Sequence, residues 1–158
     1  MTTQKQLANR IQEVLLSGKW VAGTNIKEQV SDLTWEQATT KVGSLNTIVD
    51  LLFHTNYYIA GLVHFFKTGN LDIKDQYSFD GPEIKSEADW QALIDRFCND
   101  SEEFIKAVEQ MTDAELDQIF FDKKYGTYHR NINVIIEHSY YHFGQMVLIK
   151  KLLETKGQ

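Results

Sequence analysis

Apolar side chains recur every three to four residues over much of the chain, which is the spacing that aligns them on one face of an α-helix. A first segment of this kind opens with a capping-box pattern at Thr3 and Gln6 and runs to Gly18. Another follows Ser86, where core-type side chains alternate steps of four and three residues, as in helices packed at shallow angles: Trp90, Ile94, Phe97, Ser101, Phe104, Val108 and Met111. Both segments predict helices with one buried face.

Two other segments carry almost no charge and predict helices that are apolar nearly all round. One covers residues 44–66, opens at the favourable N-cap Ser44 and has Asp50 as its only formal charge. The other is the last helix, expected over about residues 128–154, whose long central stretch has Glu137 as its only formal charge. The Asn, Thr and His content of residues 44–66 makes that segment too polar for a membrane span.

The connections between these helices are long. Residues 19–43 mix turn residues with a short helical turn, residues 71–85 predict a surface loop, and residues 118–128 have an extended or turn-like composition. Further capping-box patterns mark short helical turns at Thr34 with Gln37 and at Thr112 with Glu115. The sequence therefore predicts an all-α fold, a four-helix up-and-down bundle with a short additional helix and long connections, in a single domain over residues 1–158.

Composition and charge exclude several classes of partner. The 158 residues contain 16 Lys and Arg against 22 Asp and Glu, a formal net charge of -6, and no basic stripe that would neutralise phosphates, so we expect no nucleic-acid partner. No apolar run is long enough to cross a bilayer, so no membrane partner is expected. Cys98 is the only cysteine and has no intramolecular disulfide partner, and the N-terminus lacks the apolar core of a signal peptide, which together favour the cytoplasm.

The candidate chemistry lies in the last helix, where His138 and His142 are one turn apart. Residues four apart project from the same helix face, and this face also carries Ile135, Gln145 and Ile149. Two imidazoles in such a core stripe are costly unless their nitrogens find partners. A divalent cation bound by both imidazoles would be one such partner.

A third imidazole, His54, lies in the other low-charge segment on a face with Leu51 and Tyr58. If the two helices pack together, His54, His138 and His142 converge into a three-histidine site, which leaves a coordination position open, as in catalytic zinc sites. No Glu precedes a histidine by three residues, which excludes the Glu-x-x-His pairs of di-iron bundles. The His-Glu-x-x-His motif of metalloproteases is absent as well.

Other polar residues near this site have simpler interpretations. His64 lies about 80° from the face of His54, and His129 falls at the start of the last helix, so both are expected to be structural. Asp50, one turn before His54, is a candidate for orienting that imidazole, although a solvated or helix-capping carboxylate is the more common case. The remaining candidates for hydrogen bonding or for lining a pocket are Tyr58 and Gln145.

Two stretches of the low-charge segments carry a family resemblance: Phe53-His54 in residues 44–66, and Glu137-His138-Ser139-Tyr140-Tyr141-His142-Phe143-Gly144-Gln145 in the last helix. Together they resemble the DinB-like superfamily of damage-inducible proteins and their YfiT-like and thiol-dependent transferase relatives. The resemblance implies a four-helix bundle, often a homodimer, in which His54, His138 and His142 bind a divalent metal such as zinc or nickel. It also implies a small-molecule substrate. Some relatives transfer or isomerise substrates with the help of a low-molecular-weight thiol, and others resemble metal-dependent hydrolases.

Three functions are compatible with the sequence. The first is an enzyme in which the metal activates water or a thiol for hydrolysis or S-transfer on a small molecule entering near Tyr58 or Trp35, with no catalytic residue assigned. The second is a non-catalytic bundle that binds a metal or small ligand, favoured by the lack of an obvious general acid or base beside the histidines. The third is a structural protein whose core histidines are only hydrogen-bonded and which acts through a helical dimer face.

Overall fold

The computed structural model describes residues 1–156, most of which are helical. Within that range the extended structure is an isolated antiparallel bridge between Ile119 and Thr127. The α-helices are α1 (Thr3–Gln12), α2 (Ile26–Ser31), α3 (Trp35–Thr39), α4 (Ile48–Thr68), α5 (Glu87–Glu109), α6 (Asp113–Leu116) and α7 (Tyr128–Lys156). A π-helical turn, Glu13–Ser17, continues α1, and two short 3-10 turns cover Asp75–Tyr77 and Lys123–Tyr125.

Four of these helices enclose the core. α4 packs against α5 and α7, and α1 packs against the same two helices, so the four form a closed arrangement. The largest fully buried side chains are Trp90, Phe97 and Phe104, which come from the alternating four- and three-residue steps of α5. The all-α bundle that the sequence predicts is therefore confirmed. None of the helices within residues 1–156 combines the length and apolarity needed to cross a bilayer.

α4 starts at Ile48 and not directly after Ser44, so the N-cap predicted at Ser44 is wrong. The Thr47 hydroxyl accepts the backbone N–H of Asp50 at 3.1 Å, and the Asp50 carboxylate accepts the backbone N–H of Thr47 at 2.8 Å. This reciprocal capping box satisfies two backbone donors at once. Thr47, three residues after Ser44, has no carboxylate that could complete such a box one turn earlier. At its other end α4 stops at Gly69, which takes a left-handed φ of 75°.

The other predicted capping residues have mixed outcomes. Those confirmed by their side-chain hydrogen bonds are Thr34 with Gln37, Thr112 with Glu115, and Ser86. The box predicted at Thr3 and Gln6 is wrong, because α1 begins at Thr3 itself and Thr2 holds the N-cap position without a side-chain bond. The Gln6 amide donates to the Met1 carbonyl at 3.2 Å instead.

The α4–α5 loop, residues 69–86, is more than the surface loop that the sequence predicts, because it folds back onto α4. Ile73 packs so closely on Gly61 that a Cβ at Gly61 would overlap the Ile73 side chain. The Tyr57 hydroxyl accepts the backbone N–H of Lys74 at 2.9 Å and donates to its carbonyl at 3.0 Å. The loop is therefore attached to α4 by both shape and hydrogen bonds.

This attachment predicts opposite effects for two helical glycines. Gly144→Ala on α7 meets open space and should raise the free energy of unfolding by about 0.5–1 kcal/mol, because Ala favours a helix over Gly. Gly61→Ala gains the same propensity but pushes against Ile73, and overpacking of this kind costs about 1–3 kcal/mol. Urea unfolding of the two variants beside the parent measures the difference. Equal stabilisation by both substitutions would contradict the close packing of the loop.

Candidate metal centre

The packing of α4 on α7 brings the three sequence-predicted histidines together. The Nε2 atom of His138 lies 3.2 Å from Nε2 of His54 and 3.0 Å from Nε2 of His142. His138 and His142 reach the same point because they are one helical turn apart. His54 reaches it from α4, one residue after the partly buried Phe53.

The outer ring nitrogens of two of these histidines are occupied by oxygen acceptors. Nδ1 of His54 lies 3.2 Å from the carbonyl oxygen of Ser78, and Nδ1 of His142 lies 2.7 Å from Oε1 of Gln145. Both oxygens accept only, so each Nδ1 carries the proton and donates it. A neutral imidazole has a single N–H. The Nε2 atoms of His54 and His142 therefore present lone pairs.

The consequence is an unsatisfied centre, since Nε2 of His138 faces two lone pairs and can donate to one of them at most. At least one of the two close nitrogen contacts then sets lone pair against lone pair. A cation removes the conflict because it accepts all three lone pairs. Two imidazole nitrogens bound to one zinc ion at about 2.1 Å are no more than about 4.2 Å apart, and 3.0 and 3.2 Å meet that condition. The cluster can hold a divalent metal.

Burial keeps these imidazoles neutral, which is the form that binds a metal. His54 and His142 are 7% and 8% exposed and His138 is half-buried. Burial, followed by the neighbouring His142 and His54, lowers the pKa of His138 to about 4. Burial is also the largest cause that lowers the pKa of His54 and of His142, opposed by the hydrogen bonds to Ser78 and Gln145.

Aromatic rings surround the three imidazoles. The Phe79 ring stacks on His54 with centroids 4.0 Å apart and planes 11° apart. Tyr58 meets His54 and His138 edge-on at 5.2 and 5.1 Å, and its hydroxyl donates to Asp75 at 3.0 Å. These rings limit the access of water to the centre.

The loop residues at this centre were missed by the sequence analysis. Ser78, Phe79 and Asp75 follow His54 by more than 20 residues in a loop without helical period, so no local spacing pointed to them. Of the candidates that were named, Gln145 binds His142 and Tyr58 lies against two imidazoles.

Of the two roles considered for Asp50, orienting His54 or capping a helix, the structure shows the second. The Asp50 carboxylate belongs to the capping box with Thr47, and the nitrogens of His54 meet Ser78 and His138 instead. The Ser78 carbonyl therefore takes the place beside His54 for which Asp50 was a candidate, and Asp50 has the helix-capping role that was the more common case.

The two histidines expected to be structural lie outside the cluster. His64 is exposed, and its Nε2 is 3.1 Å from a carboxylate oxygen of Asp72. His129 lies in the first turn of α7, where its backbone carbonyl accepts from Asn133 at 2.9 Å.

Two cavities flank the centre. One of about 290 Å³ lies on the Tyr58 side, and the other, of about 340 Å³, lies on the Gln145 side. The first is lined by Tyr58, Leu62, Leu71, Ile73, Asp75, Phe120, Tyr125, Asn131, Val134 and Ile135. Trp35, the other residue considered for substrate entry, does not line it, and the Trp35 backbone N–H donates to Glu87 at the start of α5.

The Gln145 contact predicts a loss of metal affinity on mutation. Gln145→Ala removes the acceptor that fixes the N–H of His142, and we expect zinc affinity to fall about 10- to 100-fold. Gln145→Glu retains an acceptor oxygen and should bind at least as tightly as the parent. Competition with a chromophoric zinc chelator gives the three affinities. A value for Gln145→Ala equal to that of the parent would show that His142 needs no such partner.

A comparison with protein families matches residues 22–146 to a family model described as the DinB superfamily. The matched range contains α4 and all three clustered histidines. Neither a search of curated proteins nor a search of solved structures found a match. Because the family match covers well over half of the sequence, the chain belongs to the DinB superfamily.

Proposed function

We propose that this chain is a divalent-metal-dependent enzyme that acts on a small molecule, by hydrolysis or by S-transfer to a thiol. The observation that carries the proposal is the meeting of three imidazole Nε2 atoms with only one N–H available between them. Membership of the DinB superfamily supports the same site. Zinc and nickel are the ions we propose, because imidazole suits both.

The chemistry of such a centre follows from its three ligands. A divalent ion held by His54, His138 and His142 would leave room for a further ligand and would lower the pKa of water or a thiol bound there, which would supply a nucleophile near neutral pH. The chain's own contribution is to hold the imidazoles neutral and oriented, through Ser78 for His54 and through Gln145 for His142. Phe79 covers one face of His54 and shields it from water.

The cavity beside Tyr58 is the place we propose for the substrate. Its walls are mostly apolar, and no Lys or Arg is among the described residues that line it, which disfavours an anionic substrate. Burial raises the pKa of the Tyr58 hydroxyl, with Asp75 adding to the effect, so the hydroxyl remains protonated. It is therefore a hydrogen-bond donor at neutral pH and a poor base.

The proposal also includes a homodimer in the cytoplasm. Val134, Tyr141 and Leu148 are seven residues apart on α7, and all three are exposed, Tyr141 to 64%. Seven residues are close to two helical turns, so these side chains share one face, which supports self-association. A lone, unpaired Cys98 supports the location.

Elemental analysis tests the metal site directly. Protein purified without a nickel-affinity step should contain about one divalent metal per chain, and His138→Gln should lose it because two imidazoles bind more weakly than three. His64→Gln is the matched control, since it changes an exposed histidine of α4 that pairs with Asp72, and it should retain the metal.

Thermal unfolding supplies an independent readout of the same site. A metal present at 100 times its dissociation constant stabilises the fold by about 2.7 kcal/mol, which corresponds to about 5–10 °C in a domain of this size. This increase should appear in the parent and in His64→Gln and be absent from His138→Gln. Equal melting temperatures in chelator and in excess zinc or nickel would reduce the three histidines to core residues.

Activity assays test catalysis separately. For S-transfer, a thiolate of cysteine or glutathione displaces chloride from 1-chloro-2,4-dinitrobenzene, with the thiol proton released to solvent. For hydrolysis, the probe is a series of nitrophenyl esters. The metal-loaded parent should exceed its metal-free form and His138→Gln by at least about tenfold in one of the assays. Metal binding without turnover over a broad panel of substrates would support the second function, a bundle that binds a metal or small ligand. The hydrogen bond from Tyr58 to Asp75 also favours that function, because it engages both side chains.

A further inference from the structure

A cavity of about 530 Å³ lies away from the candidate metal centre. It opens between α4, α5 and the α4–α5 loop. Phe53 lines it, and Phe53 and His54 are adjacent in α4, so their side chains leave the helix about 100° apart. This cavity therefore faces a different side of α4 from the three histidines, and we call it the α4–α5 cavity.

Small residues create the space, and the loop roofs it. Ala60 and Gly61 of α4 and Ala92 of α5 line the cavity where larger side chains would fill it. The roof includes Ile73, which is held against Gly61, and Ile84, which is buried. The interior is consequently apolar and is held open by fixed elements, which is typical of small-molecule sites.

The charges that line the cavity are predominantly negative. Asp72, Glu83 and Asp89 line it together with a single residue of fixed positive charge, Arg96. The guanidinium of Arg96 is itself 3.7 Å from the carboxylate of Asp100. An anionic ligand would be repelled by this lining, and a cationic one would be attracted.

A buried polar residue, Asn56, also lines the cavity and has an unsatisfied acceptor. Asn56, only 4% exposed, lines the cavity, and its amide Nδ2 donates to the Asp100 carboxylate at 2.7 Å. The Asn56 Oδ1 atom has no donor among the described residues. A buried acceptor without a donor is costly, and an N–H or O–H group of a ligand that reached it would satisfy it.

We propose that the α4–α5 cavity binds a small organic amine, with its apolar body against Phe53 and Ile73 and its ammonium group at the acidic side of the cavity. The apolar walls suit the body of such a ligand, and the excess of carboxylates favours an ammonium group over a carboxylate or a neutral alcohol. The site is independent of the metal centre and does not rest on the proposed function.

Calorimetric titration with three probes of equal size tests the class of ligand. 4-Phenylbutylamine should bind, 4-phenylbutan-1-ol should bind more weakly, and 4-phenylbutanoate should bind weakest of the three. The titrations are run in chelator and repeated with His138→Gln, where the same order is expected because the metal centre takes no part. Preferred binding of the carboxylate, or no binding of the amine at millimolar concentration, would overturn the proposal.

Variants locate the binding to this cavity. Ala92 is exposed on α5 and lines the cavity, so Ala92→Phe should fill it without entering the core and should weaken amine binding at least about tenfold. Ala88→Phe, at an exposed position of α5 outside the lining, should leave binding unchanged. Unfolding curves of both variants establish that they fold alike. Unchanged amine affinity in Ala92→Phe would refute the assignment.

Two charge variants separate electrostatic attraction from apolar binding alone. Arg96→Gln removes the only fixed positive charge of the lining and should tighten amine binding, whereas Glu83→Gln should weaken it, each by about two- to fivefold. The opposite pair of effects would identify an anion site and refute the amine.

Discussion

Three imidazole nitrogens meet at one point in this fold with a single proton to share between them. The acceptors at Ser78 and Gln145 keep the protons of His54 and His142 on the outer nitrogens, so their lone pairs turn inward. Burial lowers the pKa of each imidazole, and a second proton is therefore not available at neutral pH. A cation held by the three histidines would satisfy these lone pairs, and it would couple the packing of α4 on α7 to what the centre binds.

The α4–α5 loop connects this centre to the cavity on the other side of α4. Through Ser78 and Phe79 it contacts His54, and through Ile73 it roofs the α4–α5 cavity. Ile73 packs directly against Gly61, so the loop and the helix are in close contact there. One loop therefore supplies contacts on both sides of α4, to an imidazole of the cluster on one side and to the lining of the cavity on the other.

The parts of the site that could be predicted from the sequence are those that follow from the periodicity of side chains around an α-helix. His138 and His142 share a face by helical geometry alone, and His54 stood out within a nearly uncharged segment. Ser78 and Phe79 reach the same centre only because the loop folds back over α4, and no short-range spacing encodes that path. Asp50 had two locally reasonable partners, the Thr47 backbone or the His54 ring. The capping box prevails because it forms two bonds within one turn, while both nitrogens of His54 have other partners.

A comparison of His54 with His64 explains why only one of the two belongs to the metal centre. Both lie on α4, ten residues apart, and that separation turns their side chains about 80° away from each other. The rotation leaves His64 exposed, with its Nε2 atom beside a carboxylate oxygen of Asp72. His54 is turned into the packed interface with α7, where its Nε2 atom meets other lone pairs and its Nδ1 atom has a carbonyl. The helix face that a histidine occupies thus decides whether it can serve as a metal ligand, because burial beside other imidazole nitrogens leaves lone pairs that a cation would satisfy.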